Sequence, residues 1–311
     1  MSKITKALEK AARERIQRHE EHATVKASEA VEIPVEISSR LGEGTPINRI
    51  KIDPHIVAAS DSSSPIAEQY RILRTNLQSL RLRPGAKTIV VTSSIHNEGK
   101  SVTSINLAMT LARQEGVRVV LVDADLRKGS IQKWLGLEDQ QEGLSTVLAR
   151  GGELNGALVK LKQPGLSVLT SGPHPEHPAE LLESSSMKRL LERLRAQFDV
   201  IIIDAPPVLP VADPGILAAH ADGVLLVVQA GKTQRKTVTQ AQALLRQMKA
   251  NILGCVLTHV EYYLPGYYRY YHQYRYGTKD AVKAANGNAT SPVINDSNTE
   301  RAPSTPQEAT S

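Results

Sequence analysis

KTIVVTSSIHNEGKSVTSIN, residues 87–106, opens with a β-branched run, Thr88-Ile89-Val90-Val91-Thr92, which reads as a buried strand. A loop from Ser93 to Gly99 leads to Lys100-Ser101. The pattern then turns helical, with Ile105, Leu107, Ala108, Leu111 and Ala112 on one broad face. Strand, loop, Gly-Lys-Ser and helix, in that order, make a phosphate-binding loop arrangement. A helix N-terminus carries unpaired N–H groups and a partial positive charge, so it attracts an anion. Lys100 is placed to reach the outer phosphates of a nucleotide, and the Ser101 hydroxyl to sit on Mg²⁺. Ser94 stands where the common pattern has its first glycine, and His96-Asn97 fill the loop interior. Asn tolerates positive φ better than most residues, so Asn97 is expected to stand in for a glycine.

Downstream, Arg118–Asp125 reads RVVLVDAD, an apolar run that ends in carboxylates, followed by Leu126-Arg127. Val200-Ile201-Ile202-Ile203-Asp204-Ala205-Pro206-Pro207 repeats the device. A buried parallel strand that ends in Asp places the carboxylate at the sheet edge where ligands bind in open α/β sheets. Such an Asp can also cap a helix. Leu166–Thr170, Val224–Val228 and Ile252–Thr258 are further candidate strands. Helical patterns separate them, over Pro178–Gln197 and Thr233–Lys249. Strands alternating with helices predict an α/β fold with a mainly parallel sheet and helices on both faces.

Upstream, Ser62–Leu82 predicts a helix with Pro65 in its first turn and an apolar stripe of Ile66, Leu73, Leu77 and Leu80. Glu68, Arg71 and Arg74 fall at three-residue steps near one side, as a surface ion pair or a face for another subunit. Residues 23–60 contain Pro34, Pro46 and Pro54 with little periodicity and read as a linker. Residues 1–22 read as a charged amphipathic helix, solvated or docked on a partner or a membrane surface.

The chain has 311 residues, enough for one large α/β domain with tails. Its net charge is +6, but 23% charged residues is ordinary and names no partner by itself. The lone cysteine, Cys255, excludes a disulfide framework and reads as a small core residue. No apolar run approaches the ~20 residues of a membrane span, and no signal peptide is read at the N-terminus.

Aromatic residues make up only 4% of the chain, so their placement is informative. Eight of the nine tyrosines lie close together: Tyr262, Tyr263, Tyr267, Tyr268, Tyr270, Tyr271, Tyr274 and Tyr276. No helix or strand period explains them. Rings with Arg269 and Arg275 could stack on bases, the hydroxyls could be substrates, or the segment could be an adhesive surface. Residues 277–311 are polar and are expected to be disordered.

The loop Ser94–Ser101, the DxDxR element Asp123–Arg127, the element Ile201–Pro207 and the tyrosine cluster together resemble the bacterial tyrosine kinases of capsule and exopolysaccharide assembly. The resemblance covers about residues 62–276, and the opening SKITKALEKA is similar to the soluble autokinases encoded with exopolysaccharide export systems. It implies a P-loop NTPase fold, with the kinase domain over 61–261 and a helix and linker over 1–60. The tyrosine cluster spans 262–276. ATP would be held by Ser94, Asn97, Glu98, Gly99, Lys100, Ser101, Val102 and Arg127. Ser101, Asp125 and Asp204 would organise Mg²⁺, with Lys100, Asp123, Asp125 and Asp204 catalytic. Asp123 would orient or deprotonate the incoming tyrosine. The eight clustered tyrosines would be phosphoacceptors. Glu68, Arg71 and Arg74 match an E-x-x-R-x-x-R motif associated with ring oligomers. The resemblance further implies a cytoplasmic protein, peripheral to the inner membrane through a polysaccharide co-polymerase that activates it in trans. It implies a phosphotyrosine phosphatase as antagonist and no nucleic-acid partner. His96-Asn97 replaces the family's Pro-Gly, and a tail follows the tyrosines.

Two rival readings share the fold. One is a partition or septum-placement ATPase, although Ile95 stands where those proteins carry an extra lysine. The other is a catalytically quiet scaffold for polysaccharide machinery.

Overall fold

The computed structural model describes residues 31–37, 48–60, 64–80, 85, 87–137, 141–154, 156–162 and 164–260. The expected N-terminal helix, the tyrosine cluster and the tail lie outside the described residues. The six strands expected from apolar runs all form: β3 (Lys87–Ser93), β4 (Val119–Asp123), β6 (Ser167–Leu169), β7 (Val200–Asp204), β8 (Gly223–Gln229) and β9 (Ile252–Thr258). They pair in parallel in the order β6-β4-β7-β3-β8-β9. Three more strands, β1 (Val31–Ile37), β2 (Asn48–Ile52) and β5 (Val159–Leu161), extend the sheet in antiparallel pairs, in the order β2-β1-β5-β6.

Residues 31–37 and 48–60 are therefore not a linker. Ile33, Val35, Ile50 and Ile52 are buried, alternating with more exposed Glu32, Pro34, Arg49 and Lys51. That period of two is the signature of a strand with one buried face. Pro34 lacks an N–H, yet its carbonyl still accepts from Lys162 N–H at 3.1 Å. A short helix, α1 (Val57–Ser60), follows β2.

Alternate residues of the parallel strands feed two cores. Ile89, Val91 and Leu121 face one side with α3 (Lys100–Ala112), while Val90, Val120 and Val122 face the other. That second layer contains α5 (Leu144–Ala149), α6 (Pro178–Glu183), α7 (Ser185–Gln197), α8 (Asp213–Ala218) and α9 (Arg235–Gln247). Helices on both faces explain why these strands read as unbroken apolar runs. The helical pattern over 178–197 divides at Ser184, whose hydroxyl caps α7 by accepting from Met187 N–H.

The Ser62–Leu82 helix forms as α2 (Pro65–Ser79), capped by Ser64, which accepts from Ala67 N–H. Its expected stripe is only partly buried: Leu77 is inside, but Ile66 and Leu80 are exposed. The inward face is built instead by Ala67, Tyr70, Leu73 and Leu77. Cys255 also departs from expectation. It is exposed, because β9 is, among the described residues, the last strand at its end of the sheet.

Candidate active site

β3, β4 and β7 deliver their C-terminal ends to one rim. Asp123 ends β4 and Asp204 ends β7, and the two are register partners. Lys100, at the start of α3, reaches across: its Nζ lies 2.9 Å from Asp125 Oδ2, 3.4 Å from Asp204 Oδ2 and 3.2 Å from Ser101 Oγ. Ser101 Oγ donates to Asp204 Oδ2 at 2.6 Å. Ser104, three residues further along the same helix face, places its hydroxyl 2.9 Å from Asp204 Oδ1. Ser130 Oγ donates to Ser101 Oγ at 3.1 Å. Two carboxylates from separate segments of the chain, Asp125 and Asp204, thus converge on one ammonium, and Asp123 adds its charge from the end of β4.

Asp123 is fully buried. Its Oδ2 accepts from the N–H groups of Ser130 and Ile131, both at 3.0 Å, and its Oδ1 from Asp125 N–H at 3.2 Å. It thereby folds the loop that leads into α4 (Ile131–Trp134) back over β4. Gly129 permits this closeness, since a Cβ there would fall 2.0 Å from Ser171 Oγ. Burial, and then the neighbouring Asp204, push the Asp123 carboxyl up to about 7, against the pull of Lys100. Burial raises Asp204 as well, opposed by Lys100 and the Ser101 and Ser104 hydroxyls. Burial disfavours the charge on Lys100, but Asp204, Asp125 and Asp123 together outweigh it and hold the ammonium above its ordinary pKa.

The loop itself has the expected backbone. Asn97 is left-handed at φ 61°, as is Gly99 at φ 90°. Gly99 serves as N-cap of α3 without a side-chain cap, leaving the helix N-terminus to an anion. Ser94 is buried with its hydroxyl unpartnered among the described residues. Val208 and Leu209 donate their N–H groups to the carbonyls of Ser93 and Ser94, so the segment after β7 underpins the loop. The prolines at 206 and 207 have a role here too: Pro206 O accepts from Thr92 Oγ1 at 2.6 Å.

Two residues expected to touch ATP have side chains paired within the protein. Glu98 is buried, with its carboxylate turned onto the Ile95 and Gln229 N–H groups and the Thr233 hydroxyl. An ionised carboxylate offers only acceptors, so it suits these donors and not a phosphate. Arg127 makes a two-pronged pair with Asp213, at 2.8 and 3.0 Å, and Asp213 is fully buried. Neither Asp213 nor Ser104, Ser130, Thr233 or Thr258 was legible as part of the site. Ser104 had a signal, its i+3 spacing from Ser101.

Glu68 and Arg71 pair at 2.8 Å on α2, and Arg74 turns towards α3, donating to Thr110 O at 3.3 Å. The three share one region of the helix, away from the Lys100 cluster in contact terms.

The donor set suits Mg²⁺. Ser101, Asp125 and Asp204 present hard oxygens, and among the described residues no three His, Cys, Asp or Glu side chains form a complete metal cage. Mg²⁺ takes one or two carboxylates and completes its octahedron with water and phosphate oxygens, so an incomplete oxygen set fits it.

A family model described as an AAA domain matches residues 86–253. The tyrosine-protein kinase YwqD of Bacillus subtilis is 38% identical over 230 residues, 74% of this chain and 94% of that protein. The tyrosine-protein kinase ptk of Acinetobacter johnsonii is 36% identical over 213 residues, but these are only 29% of its length. The solved kinase domain of the Escherichia coli tyrosine kinase ETK superposes with a TM-score of 0.63 at 32% identity, covering 70% of this chain and 83% of that one. The phosphate loop, the Asp-ended strands and a relative matched over nearly its whole length agree: this chain belongs to the bacterial tyrosine-protein kinase family.

Proposed function

We propose that the protein is an ATP-dependent protein-tyrosine kinase that phosphorylates its own clustered tyrosines and regulates exopolysaccharide or capsule polymerisation and export. The observation that carries this reading is the convergence of Lys100, Asp125 and Asp204 within 3.4 Å at the strand rim, beside buried Asp123. Phosphoryl transfer mostly needs positioning and charge neutralisation, and this cluster offers both.

In the proposed reaction a tyrosine oxygen attacks the γ-phosphorus, and the bond from that phosphorus to the ADP oxygen breaks. The phenolic proton passes to the Asp123 carboxylate, whose position near pH 7 suits a base at neutral pH. Lys100 exchanges its carboxylate contacts for the outer phosphates. The loop N–H groups and the N-terminus of α3 hold the triphosphate. Ser101, Asp125 and Asp204 would hold Mg²⁺, which when bound neutralises phosphate charge. Asp213 keeps Arg127 and the loop after Asp125 in place, so Arg127 acts as a positioning residue.

The acceptors would be Tyr262, Tyr263, Tyr267, Tyr268, Tyr270, Tyr271, Tyr274 and Tyr276. Each phosphate adds about −1.5 to −2 charge, reversing the local field of Arg269 and Arg275. Glu68, Arg71 and Arg74 would form a ring interface, which phosphorylation loosens. Among the described residues no helix is long and apolar enough to cross a membrane. A membrane-borne polysaccharide co-polymerase would act in trans on the kinase, held at the cytoplasmic side of the inner membrane, with a phosphatase as antagonist.

The test is incubation with Mg-ATP, anti-phosphotyrosine blotting and peptide mass mapping, with wild type beside Lys100→Met. Phosphotyrosine in the 262–276 peptides of wild type, cut by roughly 10²–10³ in rate by the substitution, is expected. ATP hydrolysis without phosphotyrosine would favour the partition-type ATPase. Neither activity would favour the scaffold.

A further inference from the structure

We propose that the Glu98 side chain is a positioning group that holds the phosphate loop in its anion-binding shape without itself touching the nucleotide. The inference rests on the ATP-binding reading above.

Glu98 is the hub of a buried clamp. Its Oε2 accepts from Ile95 N–H at 2.8 Å, closing the loop on itself. Its Oε1 accepts from Gln229 N–H at 3.3 Å, at the end of β8, and from the Thr233 hydroxyl, just before α9. Its backbone carbonyl accepts from the Thr258 hydroxyl at 2.8 Å, at the end of β9. One residue thus ties the loop to three other parts of the chain. Burying a carboxylate is costly unless donors meet it. Here three donors meet the side chain, and a satisfied buried network is rigid.

The neighbours show what the clamp opposes. Asn97 and Gly99, on either side of Glu98, are both left-handed. Left-handed residues within a turn swing successive N–H groups to one side, which is the geometry of a backbone anion nest. Asn97 adopts that conformation at less cost than most residues, but not without an anchor that fixes the turn. The bond from Ile95 to Glu98 closes the turn that contains Asn97, so the carboxylate stabilises the shape that the phosphates require. Gly99 also has Thr258 close by, 3.3 Å from where a Cβ would stand, so the loop has little room to relax towards β9.

The test uses Glu98→Gln, Thr233→Val and the double variant in the full chain. Affinity for Mg-ATP is read by titration with a fluorescent ATP analogue and competition by ATP, well below the unfolding temperature. Thermal unfolding is measured in parallel without nucleotide. Gln keeps one acceptor but sets an NH₂ against the Ile95 N–H, so Glu98→Gln is expected to weaken ATP binding on the order of tenfold, as for one lost buried charge-assisted bond. Thr233→Val should weaken it by about two- to fivefold. The double variant should lose little beyond Glu98→Gln, because both act through one contact. An affinity for Glu98→Gln within about twofold of wild type, with only the unfolding temperature lowered, overturns the proposal, as do losses that simply multiply. If Glu98→Gln does not fold, unchanged ATP affinity in Thr233→Val overturns it alone. Wild type that binds no ATP overturns the ATP reading and this inference with it.

Discussion

Asp123 and Asp204 face each other across adjacent parallel strands, both fully buried, and share the field of a single ammonium, Lys100. Burial raises the affinity of both carboxyl groups for protons, and the charge of Asp204 raises that of Asp123 further. The pair is therefore a load on the fold, at the site proposed above for phosphoryl transfer.

The load has a defined sign. Asp123 is pushed up to about 7 from an unfolded value of 3.8, by burial and then by Asp204. Between these values the folded state holds more protons than the unfolded one, so this group's contribution to stability falls as pH rises from about 4 to about 7. Without nucleotide, wild type should lose stability relative to Asp123→Asn as pH is raised from 5 to 8. Chemical denaturation of both proteins at several pH values measures it. A difference independent of pH would show that Asp123 does not titrate in this window.

Lys100 supplies the counter-charge, so Lys100→Met should do more than stop catalysis. Removing one partner of a buried cluster costs about 3 kcal/mol or more. The loss should be larger at pH 8 than at pH 5, because Asp123 and Asp204 can take up protons once the ammonium is gone. Equal losses at both pH values would mean that the acids do not compensate in this way.

Arg127 and Asp213 provide a contrast, since here the carboxylate is fully buried and the guanidinium partly exposed. Arg127→Ala leaves the buried Asp213 carboxyl without its guanidinium partner and should cost about 3 kcal/mol. Asp213→Asn should cost less, about 1–2 kcal/mol, because Arg127 can turn to solvent. If Arg127 served the nucleotide directly, Arg127→Ala would raise KM for ATP and leave the unfolding midpoint in place.

How much of this was legible depends on the physics of each segment. Val90, Val122 and Ile203 lie between two helix layers, so their strands announce themselves as apolar runs, and the closing Asp residues mark the ligand edge. Ile33, Val35, Ile50 and Ile52 carry only an alternating signal over short segments, and Pro34 masks it. β5, with three residues, gives almost none. At the site, the loop, Lys100 and the three Asp residues follow from local pattern. Asp213 and Thr258 do not, because their partners, Arg127 and Glu98, are 86 and 160 positions away. The side-chain partners of Glu98 and Arg127 escape the sequence for the same reason: motif position names a neighbourhood, whereas tertiary contacts decide which way a side chain turns.

The left-handed loop residues permit a graded test of that tertiary control. Asn97→Gly should be nearly neutral in stability, and Asn97→Ala should cost about 1 kcal/mol, since a side chain with no local hydrogen bond gains nothing at φ 61°. Gly99→Ala carries two penalties: a backbone at φ 90°, and a Cβ 3.3 Å from Thr258 Cγ2. It should cost about 2 kcal/mol. Thr258→Ser removes the crowding methyl but keeps the hydroxyl that Glu98 uses. In Gly99→Ala/Thr258→Ser the contact penalty disappears and the backbone penalty stays, so the double variant should recover about 0.5–1 kcal/mol relative to the sum of the single changes. Denaturant midpoints for the four proteins of this cycle give the number. Complete recovery would place the whole cost in the contact, and none would place it in the left-handed backbone that turns the N–H groups of the loop towards the phosphates.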